Sequence, residues 1–83
     1  MIPCAEFEEL ILADQISLLY EQGTFIMSIR YYKYKVNLFL LGNYYLEVFI
    51  NHKVSRIEKI VPLDPVHSRI KFYADQISLR EME

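Results

Sequence analysis

The chain has 83 residues, of which 53% are hydrophobic and 24% charged, and its formal net charge is −2. This length suits one small domain, and the high apolar fraction excludes an intrinsically disordered chain. The single cysteine, Cys4, excludes an intrachain disulfide and a cysteine metal cluster, and the small net charge gives no overall attraction to nucleic acid or anionic lipid. No run is long enough to span a membrane and no signal peptide is evident, so we expect a cytoplasmic protein.

The first predicted element is a helix within residues 1 to 22, from Pro3 to Gln22. Acidic residues favour the positive end of its dipole, and Gly23 offers a left-handed stop. Its apolar residues fall on two sides of the helix: Phe7, Ile11 and Leu18 on one, and Leu12, Ile16, Leu19 and Tyr20 on the other. One side can cover a sheet, so the other predicts contact with a second helix or a partner chain.

A four-stranded antiparallel meander is predicted over residues 23 to 62, with strands at 24–31, 34–40, 44–50 and within 54–61. A two-residue turn, Tyr32-Lys33, pairs position 31 with 34, 29 with 36 and 27 with 38. A three-residue loop, Leu41-Gly42-Asn43, would align the residues at 44, 46, 48 and 50 with those at 36, 38 and 40. The register of the fourth strand stays open, and a bulge or an edge position would explain its mixed pattern.

The chain then returns to helix over residues 64 to 79. Asp64-Pro65 is a start signal, because Asp caps a helix and Pro suits its first position. Residues 80 to 83 are expected to form a frayed tail. The predicted fold is therefore a single α+β domain with an N-terminal helix, a four-stranded antiparallel meander and a short C-terminal helix.

Charge is unevenly distributed between the predicted helix and the predicted sheet. Residues 1 to 22 hold five acidic residues and no Lys or Arg, hence −5. Residues 23 to 62 hold six basic and two acidic residues, hence +4. Intrachain complementarity and the orientation of two subunits both explain this pattern.

The predicted sheet is apolar on both faces, so both faces require a cover. On the second face the expected register gives three rows: Ile26 with Phe39 and Tyr45, Ser28 with Asn37 and Glu47, and Arg30 with Lys35 and Phe49. In one interpretation the C-terminal helix covers Phe39 and Tyr45 while Glu47 pairs with a nearby base, namely Arg30, Lys35 or Arg56. In the other, this face or the first helix forms a homodimer interface. The predicted interaction surface comprises Arg30, Tyr32, Lys35, Phe39, Tyr45, Glu47 and Phe49.

These residues suggest three hypotheses for the function of the chain. The first is a non-catalytic protein-interaction or homo-oligomerising module, expected as a homodimer. The alternative is single-stranded nucleic-acid binding through a basic and aromatic hairpin with Arg30, Tyr32, Lys33 and Lys35. The third is a small-ligand or catalytic pocket around Glu47. His52, His67 and Cys4 lack metal-ligand spacing, so we expect no enzyme, metal or cofactor.

Short motifs spread along the chain also suggest a family. They are Gly23-x-Phe25, Arg30-Tyr31, Val36-x-Leu38-Phe39, Glu47-Val48-Phe49, Ile57-x-x-Ile60 and Tyr73-x-x-Gln76-Ile77-x-Leu79. In these positions the chain resembles a group of small uncharacterised bacterial proteins that share a helix, a β-meander and a short terminal helix. The resemblance implies the architecture and no activity.

Overall fold

The computed structural model describes residues 2–63 and Tyr73. Within these residues the chain forms two helices, α1 (Cys4–Glu9) and α2 (Leu12–Gln22), and four strands, β1 (Thr24–Tyr31), β2 (Tyr34–Leu41), β3 (Tyr44–Asn51) and β4 (Arg56–Pro62). The strands form one antiparallel sheet in the order β1-β2-β3-β4, so β1 and β4 are its edges. The α+β architecture and the meander are confirmed. The helix predicted over residues 64 to 79 and the tail after it lie, except for Tyr73, outside the described residues.

Two helices replace the single N-terminal helix that the sequence predicts. Leu10 and Ile11 are extended, with ψ angles of 149° and 157°, and they separate α1 from α2. The buried Gln15 side chain donates its Nε2 hydrogen to the carbonyl oxygen of Phe7 at 2.9 Å, so it satisfies a carbonyl at the end of α1. The break allows Phe7 and Leu19 to enter one apolar cluster.

Gly23 ends α2, but without the left-handed conformation that the sequence predicts. Its φ is −81° and its ψ is 161°, which is extended backbone. Glycine is required for space instead, because a Cβ at this position would lie 2.5 Å from the carbonyl oxygen of Leu19. The backbone N–H of Gly23 also donates to that oxygen at 2.7 Å.

The predicted pairing of β1 with β2 is confirmed at the turn end. Tyr31 lies opposite Tyr34, and the pairs 29 with 36 and 27 with 38 follow. A bulge between Phe25 and Met27 then shifts the register, so that Phe25 rather than Ile26 lies opposite Phe39. The predicted row of Ile26 with Phe39 is therefore wrong.

The predicted three-residue loop between β2 and β3 is also wrong. A two-residue turn, Gly42-Asn43, joins the strands, and Leu41 pairs with Tyr44. Gly42 has a φ of 62°, which a glycine adopts without steric cost. Because side chains alternate along a strand, this one-residue difference moves every side chain of β3 to the opposite face relative to the prediction.

Strand β4 pairs with β3 as an edge strand and carries an irregularity. The register shifts between Phe49 and Ile50, whose partners are Lys59 and Ile57, so Glu58 is the extra residue. An edge position and a bulge are the two features that the sequence offered for this strand, and both occur. Among the described residues, no helix has the length and apolar character needed to cross a membrane.

Each face of the sheet has its own apolar cluster. On the helix face, residues of the sheet pack with residues of α1 and α2; its buried members are Phe7, Leu19, Phe39, Leu41, Leu46, Val48 and Ile60. On the opposite side, here the Tyr73 face, the buried members are Met27, Ile29, Val36, Leu38, Phe49 and Tyr73. The helix face is thus covered by α1 and α2, and on the other face Tyr73 packs against the sheet.

Candidate interaction surfaces

The predicted interaction surface is divided between the two faces of the sheet. Alternation along the strands places Arg30, Lys35 and Phe39 on the helix face and Tyr45, Glu47 and Phe49 on the Tyr73 face, with Tyr32 in the β1–β2 turn. Phe39, Glu47 and Phe49 are buried within the single chain, so these three side chains form no open surface. In the predicted rows the pairs Ser28 with Asn37 and Arg30 with Lys35 are confirmed, whereas the β3 members are wrong because they depend on the incorrect β2–β3 loop.

Glu47 is the buried carboxylate at the centre of the Tyr73 face. Its exposed fraction is 0%, and Leu38 and Val61 lie opposite it on the neighbouring strands. The Tyr73 hydroxyl donates a hydrogen bond of 3.0 Å to Glu47 Oε2. The predicted pairing with Arg30 or Lys35 is wrong, because those bases lie on the other face. The bond ties Tyr73 to the sheet.

Arg56, the third predicted partner of Glu47, starts β4 opposite Asn51. Its side chain is exposed, whereas Glu47 lies further along the sheet, opposite Val61. The predicted pairing with Arg56 is therefore also wrong. A two-residue turn before β3 would have placed Glu47 on the face away from Arg30 and Lys35 in the prediction. That placement would have excluded both as partners and left a group on the Tyr73 face as the candidate.

A basic corner forms where β1 and β2 approach their turn on the helix face. We define it by Ser28, Arg30, Lys35 and Asn37. Arg30 lies directly opposite Lys35, both are exposed, and neither forms an ion pair with residues 2–63. Ser28 lies opposite Asn37 in the next row, and Asn37 Oδ1 is buried without a hydrogen-bond partner in the described part of the chain.

An aromatic patch lies at the other end of β1, where α2 ends. We define it by Tyr20, Phe25 and the buried Phe39 beneath them. The Tyr20 and Phe25 rings both meet the Phe39 ring edge to face, at centroid distances of 5.2 and 5.7 Å. Tyr20 is nevertheless 52% exposed and Phe25 54% exposed. The chain therefore arranges these rings without covering them.

Helix α2 buries little of its own apolar surface. Its buried residues are Gln15 and Leu19, whereas Leu12, Ile16 and Leu18 are only partly buried. Ile11, at the start of the helix, is 68% exposed. The helix packs on the sheet through contacts with β2 and β4. Phe7 and Leu18, which the sequence places with Ile11 on one apolar side, contact the same cluster as Leu19, so Ile11 is what stays exposed of that side.

The turn between β1 and β2 presents a tyrosine to solvent. Tyr32 is 88% exposed and has a φ of 57°, in the left-handed region that glycine and asparagine prefer. Its neighbour Lys33 lies with Nζ 5.5 Å from the Tyr34 ring centroid, which belongs to the Tyr73 face. Lys33 is thus separated from Arg30 and Lys35, with which the sequence grouped it.

A hydrogen-bond network on the Tyr73 face surrounds Glu58. Asn51 Nδ2 and the Tyr34 hydroxyl donate to its two carboxylate oxygens at 2.8 and 2.9 Å. The hydrogen bond from Asn51 has the largest effect in lowering the pKa of Glu58, and the bond from Tyr34 and the charges of Lys33 and Lys59 lower it further. The same bond to Glu58 raises the pKa of Tyr34. The network fixes this end of the sheet.

The remaining candidate groups show no built chemical centre. Burial, and then the charge of Glu8, raise the pKa of Cys4, which is the opposite of what a nucleophilic thiolate requires. Among the described residues, no three His, Cys, Asp or Glu side chains lie together as a metal-binding group. His52 is exposed in the β3–β4 turn, and His67 lies outside the described residues.

Comparison with protein-family models, with curated proteins and with solved structures found no match. The resemblance to small bacterial proteins therefore stays a prediction. The surfaces of the chain itself are the evidence for its function.

Proposed function

We propose that this chain is a non-catalytic self-association module that acts as a homodimer. The observation that carries the proposal is the aromatic patch. Tyr20 and Phe25, each more than half exposed, are ordered against Phe39 on the same side of the sheet as the partly covered helix α2. Aromatic side chains held in this way are typical of the central residues of protein interfaces.

Association through the helix face fits this molecule better than pairing of sheet edges. Strand β1 is an edge, but its bulge lies beside Phe25 and interrupts the row of backbone groups that an added strand would need. The helix face instead offers the exposed rings of the aromatic patch beside the partly buried side chains of α2. A second copy of the chain offers the same surface, as a two-fold interface requires.

The test is the molar mass in solution, measured by size-exclusion chromatography with light scattering at micromolar concentration. We expect a dimer, and Phe25→Ser should raise its dissociation constant by roughly tenfold or more, because burying one Phe contributes about 1.5–3 kcal/mol. Val54→Ser is the matched control, since Val54 is also exposed but lies in the β3–β4 turn. A wild-type chain that elutes only as a monomer contradicts the proposal.

Binding of single-stranded nucleic acid is the second candidate, favoured by one observation. A tyrosine with a left-handed φ costs free energy, and at 88% exposure the packing shown to offset that cost is an edge-to-face contact with the Tyr31 ring at 4.7 Å. An exposed ring in the turn that joins the strands of Arg30 and Lys35 suits stacking on a base of a nucleic acid whose phosphates those residues neutralise.

A fluorescent oligonucleotide, titrated at low and then raised ionic strength, tests this candidate. Binding that weakens with salt and falls about tenfold in Tyr32→Ala supports it, because a stacked base contributes about 1–3 kcal/mol. Tyr20→Ala serves as the control, since it removes an exposed tyrosine from the distant aromatic patch. An absence of binding at low salt excludes the candidate.

A further inference from the structure

We infer that the dimer is isologous and that helix α2 of each copy lies across the basic corner of the other. In this arrangement Asp14 and Glu21 of one copy face Arg30 and Lys35 of the second. The inference rests on the proposed self-association and adds the surface, the orientation and the chemistry by which the second copy is recognised.

The first support is the separation of charge on the folded chain. Every acidic residue of α1 and α2 is exposed, and so are all six basic residues between positions 23 and 62. Asp14, Glu21, Arg30 and Lys35 form no ion pair with residues 2–63. Intrachain pairing, one of the two explanations of the charge pattern, therefore leaves these four groups unused. A second copy supplies charges of the opposite sign to each of them.

The second support is the local chemistry of the basic corner. Like charges directly opposite each other on neighbouring strands repel, and Arg30 and Lys35 are such a pair. A carboxylate placed between them removes this repulsion. An exposed like-charge pair of this kind is typical of a surface that is completed by a partner of opposite charge.

The third support is the geometry of α2. Asp14 and Glu21 are seven residues apart, so at about 100° per residue they project from nearly the same side, roughly 10 Å apart along the axis. The buried residues Gln15 and Leu19 lie about 100° or more away from that side. The two carboxylates are thus free while α2 packs on its own sheet.

A two-fold dimer brings α2 of each copy to the basic corner of the other and requires no other contact between the copies. Helix α2 packs on its own β2 and β4, and the basic corner lies on the same face, where β1 and β2 meet their turn. In the proposed dimer the two-fold axis lies parallel to this face, between the two copies, so that each helix lies beside the other copy's corner. The same pair of contacts then forms twice, once on each side of the axis.

Two charge-reversed proteins test the inference. The first carries Arg30→Glu with Lys35→Glu, and the second carries Asp14→Lys with Glu21→Lys. Each alone should dimerise roughly tenfold or more weakly than wild type, because like charges then meet at both contacts. An equimolar mixture should restore a heterodimer of about wild-type affinity, since each reversed surface then meets its opposite. Light scattering and native mass spectrometry measure both results.

Each charge-reversed protein has a matched control with the same net charge, in which the substitutions lie away from the proposed contact. Lys53→Glu with Arg56→Glu changes the net charge as the first protein does, but in and beside the β3–β4 turn. Glu8→Lys with Glu9→Lys matches the second on α1. Both controls should dimerise like the wild type, and circular dichroism should show that all four variants are folded.

The outcomes separate the inference from the function on which it rests. A monomeric wild type contradicts self-association itself. A dimer that both reversed proteins retain, or a mixture that shows no restored heterodimer, overturns the α2 arrangement and leaves self-association standing. Loss of oligonucleotide retention in the first protein, with dimerisation unchanged, also overturns it and assigns the basic corner to nucleic acid.

Discussion

Glu47 occupies a position on β3 where the residues directly opposite it on both neighbouring strands are aliphatic. Leu38 and Val61 flank it across the sheet, and its side chain is fully buried. A buried carboxylate is costly unless hydrogen bonds satisfy it, and the Tyr73 hydroxyl provides one of them. Glu47 therefore favours the observed placement of the Tyr73 hydroxyl over placements that would leave the carboxylate without this donor.

Removal of this donor should destabilise the fold measurably. Tyr73→Phe is expected to lower the free energy of unfolding by about 1–3 kcal/mol, since it leaves a buried acceptor with one donor fewer. In a Glu47→Leu background the same substitution should cost far less, because the acceptor is absent. Urea denaturation of the four proteins gives the coupling energy. Equal losses in both backgrounds would contradict a specific bond, and Tyr32→Phe, at an exposed ring, controls for loss of a hydroxyl.

The Glu58 network predicts a pH dependence with a definite sign. The pKa of Glu58 is lower in the folded chain than in the unfolded one, because Asn51 and Tyr34 donate to the carboxylate. Its contribution to stability is therefore present above the unfolded pKa and is lost as the pH falls through the folded pKa. The difference in urea midpoint between wild type and Glu58→Gln should shrink over that acidic range. A difference that is constant with pH would refute the assignment.

At the level of elements, the end of α2 depends on an approach that only glycine permits. A Cβ at position 23 would lie 2.5 Å from the carbonyl oxygen of Leu19, which is helix backbone and cannot turn away. Gly23→Ala should therefore lower the free energy of unfolding by about 1–3 kcal/mol, as overpacking does. Ser17→Ala, at an exposed position of the same helix, should change it by less than about 0.5 kcal/mol. Thermal denaturation of both variants would decide, and an unchanged Gly23→Ala would contradict the collision.

Strand boundaries followed from the sequence, whereas the faces of β3 did not. The turn at Tyr32-Lys33 fixed the register of β1 and β2 because only one alignment joins their apolar residues. Strand β3 is apolar on both parities, so alternation cannot distinguish a two-residue turn from a three-residue loop. The chemistry of Gly42-Asn43, a favoured type of two-residue turn, was the better guide.

Two other features, the break between α1 and α2 and the bulge in β1, differ from the prediction, and no residue near them in the sequence indicates them. The break at Leu10 and Ile11 contains neither Pro nor Gly, and it follows from the tertiary contact in which Gln15 meets the Phe7 carbonyl. The bulge beside Phe25 likewise follows from packing, since it brings that ring against Phe39. Within the candidate surface, the pairing of Arg30 with Lys35 was predicted correctly from the alternation of side chains along β1 and β2. The aromatic patch did not, because it joins the end of a helix to a bulged strand.

For the whole molecule, self-association predicts that thermal stability depends on concentration. Binding of a second copy to the folded chain stabilises it by mass action, by about 2.7 kcal/mol when the partner is present at 100 times its dissociation constant. For a domain of this size, each kcal/mol raises Tm by about 4–8 °C. Scanning calorimetry over a hundredfold range of protein concentration should therefore show Tm rising by several degrees. A constant Tm would count against the dimer.

The two covers of the sheet leave the ribosome at different times. Helices α1 and α2 emerge before the strands they shield, whereas Tyr73 emerges after the entire meander. Tyr73 is therefore the last described residue to be added, and in a chain terminated before residue 73 the side of the sheet that includes Met27, Ile29 and Leu38 would lack that ring. Apolar strands exposed in this way are what chaperones bind and what aggregates first.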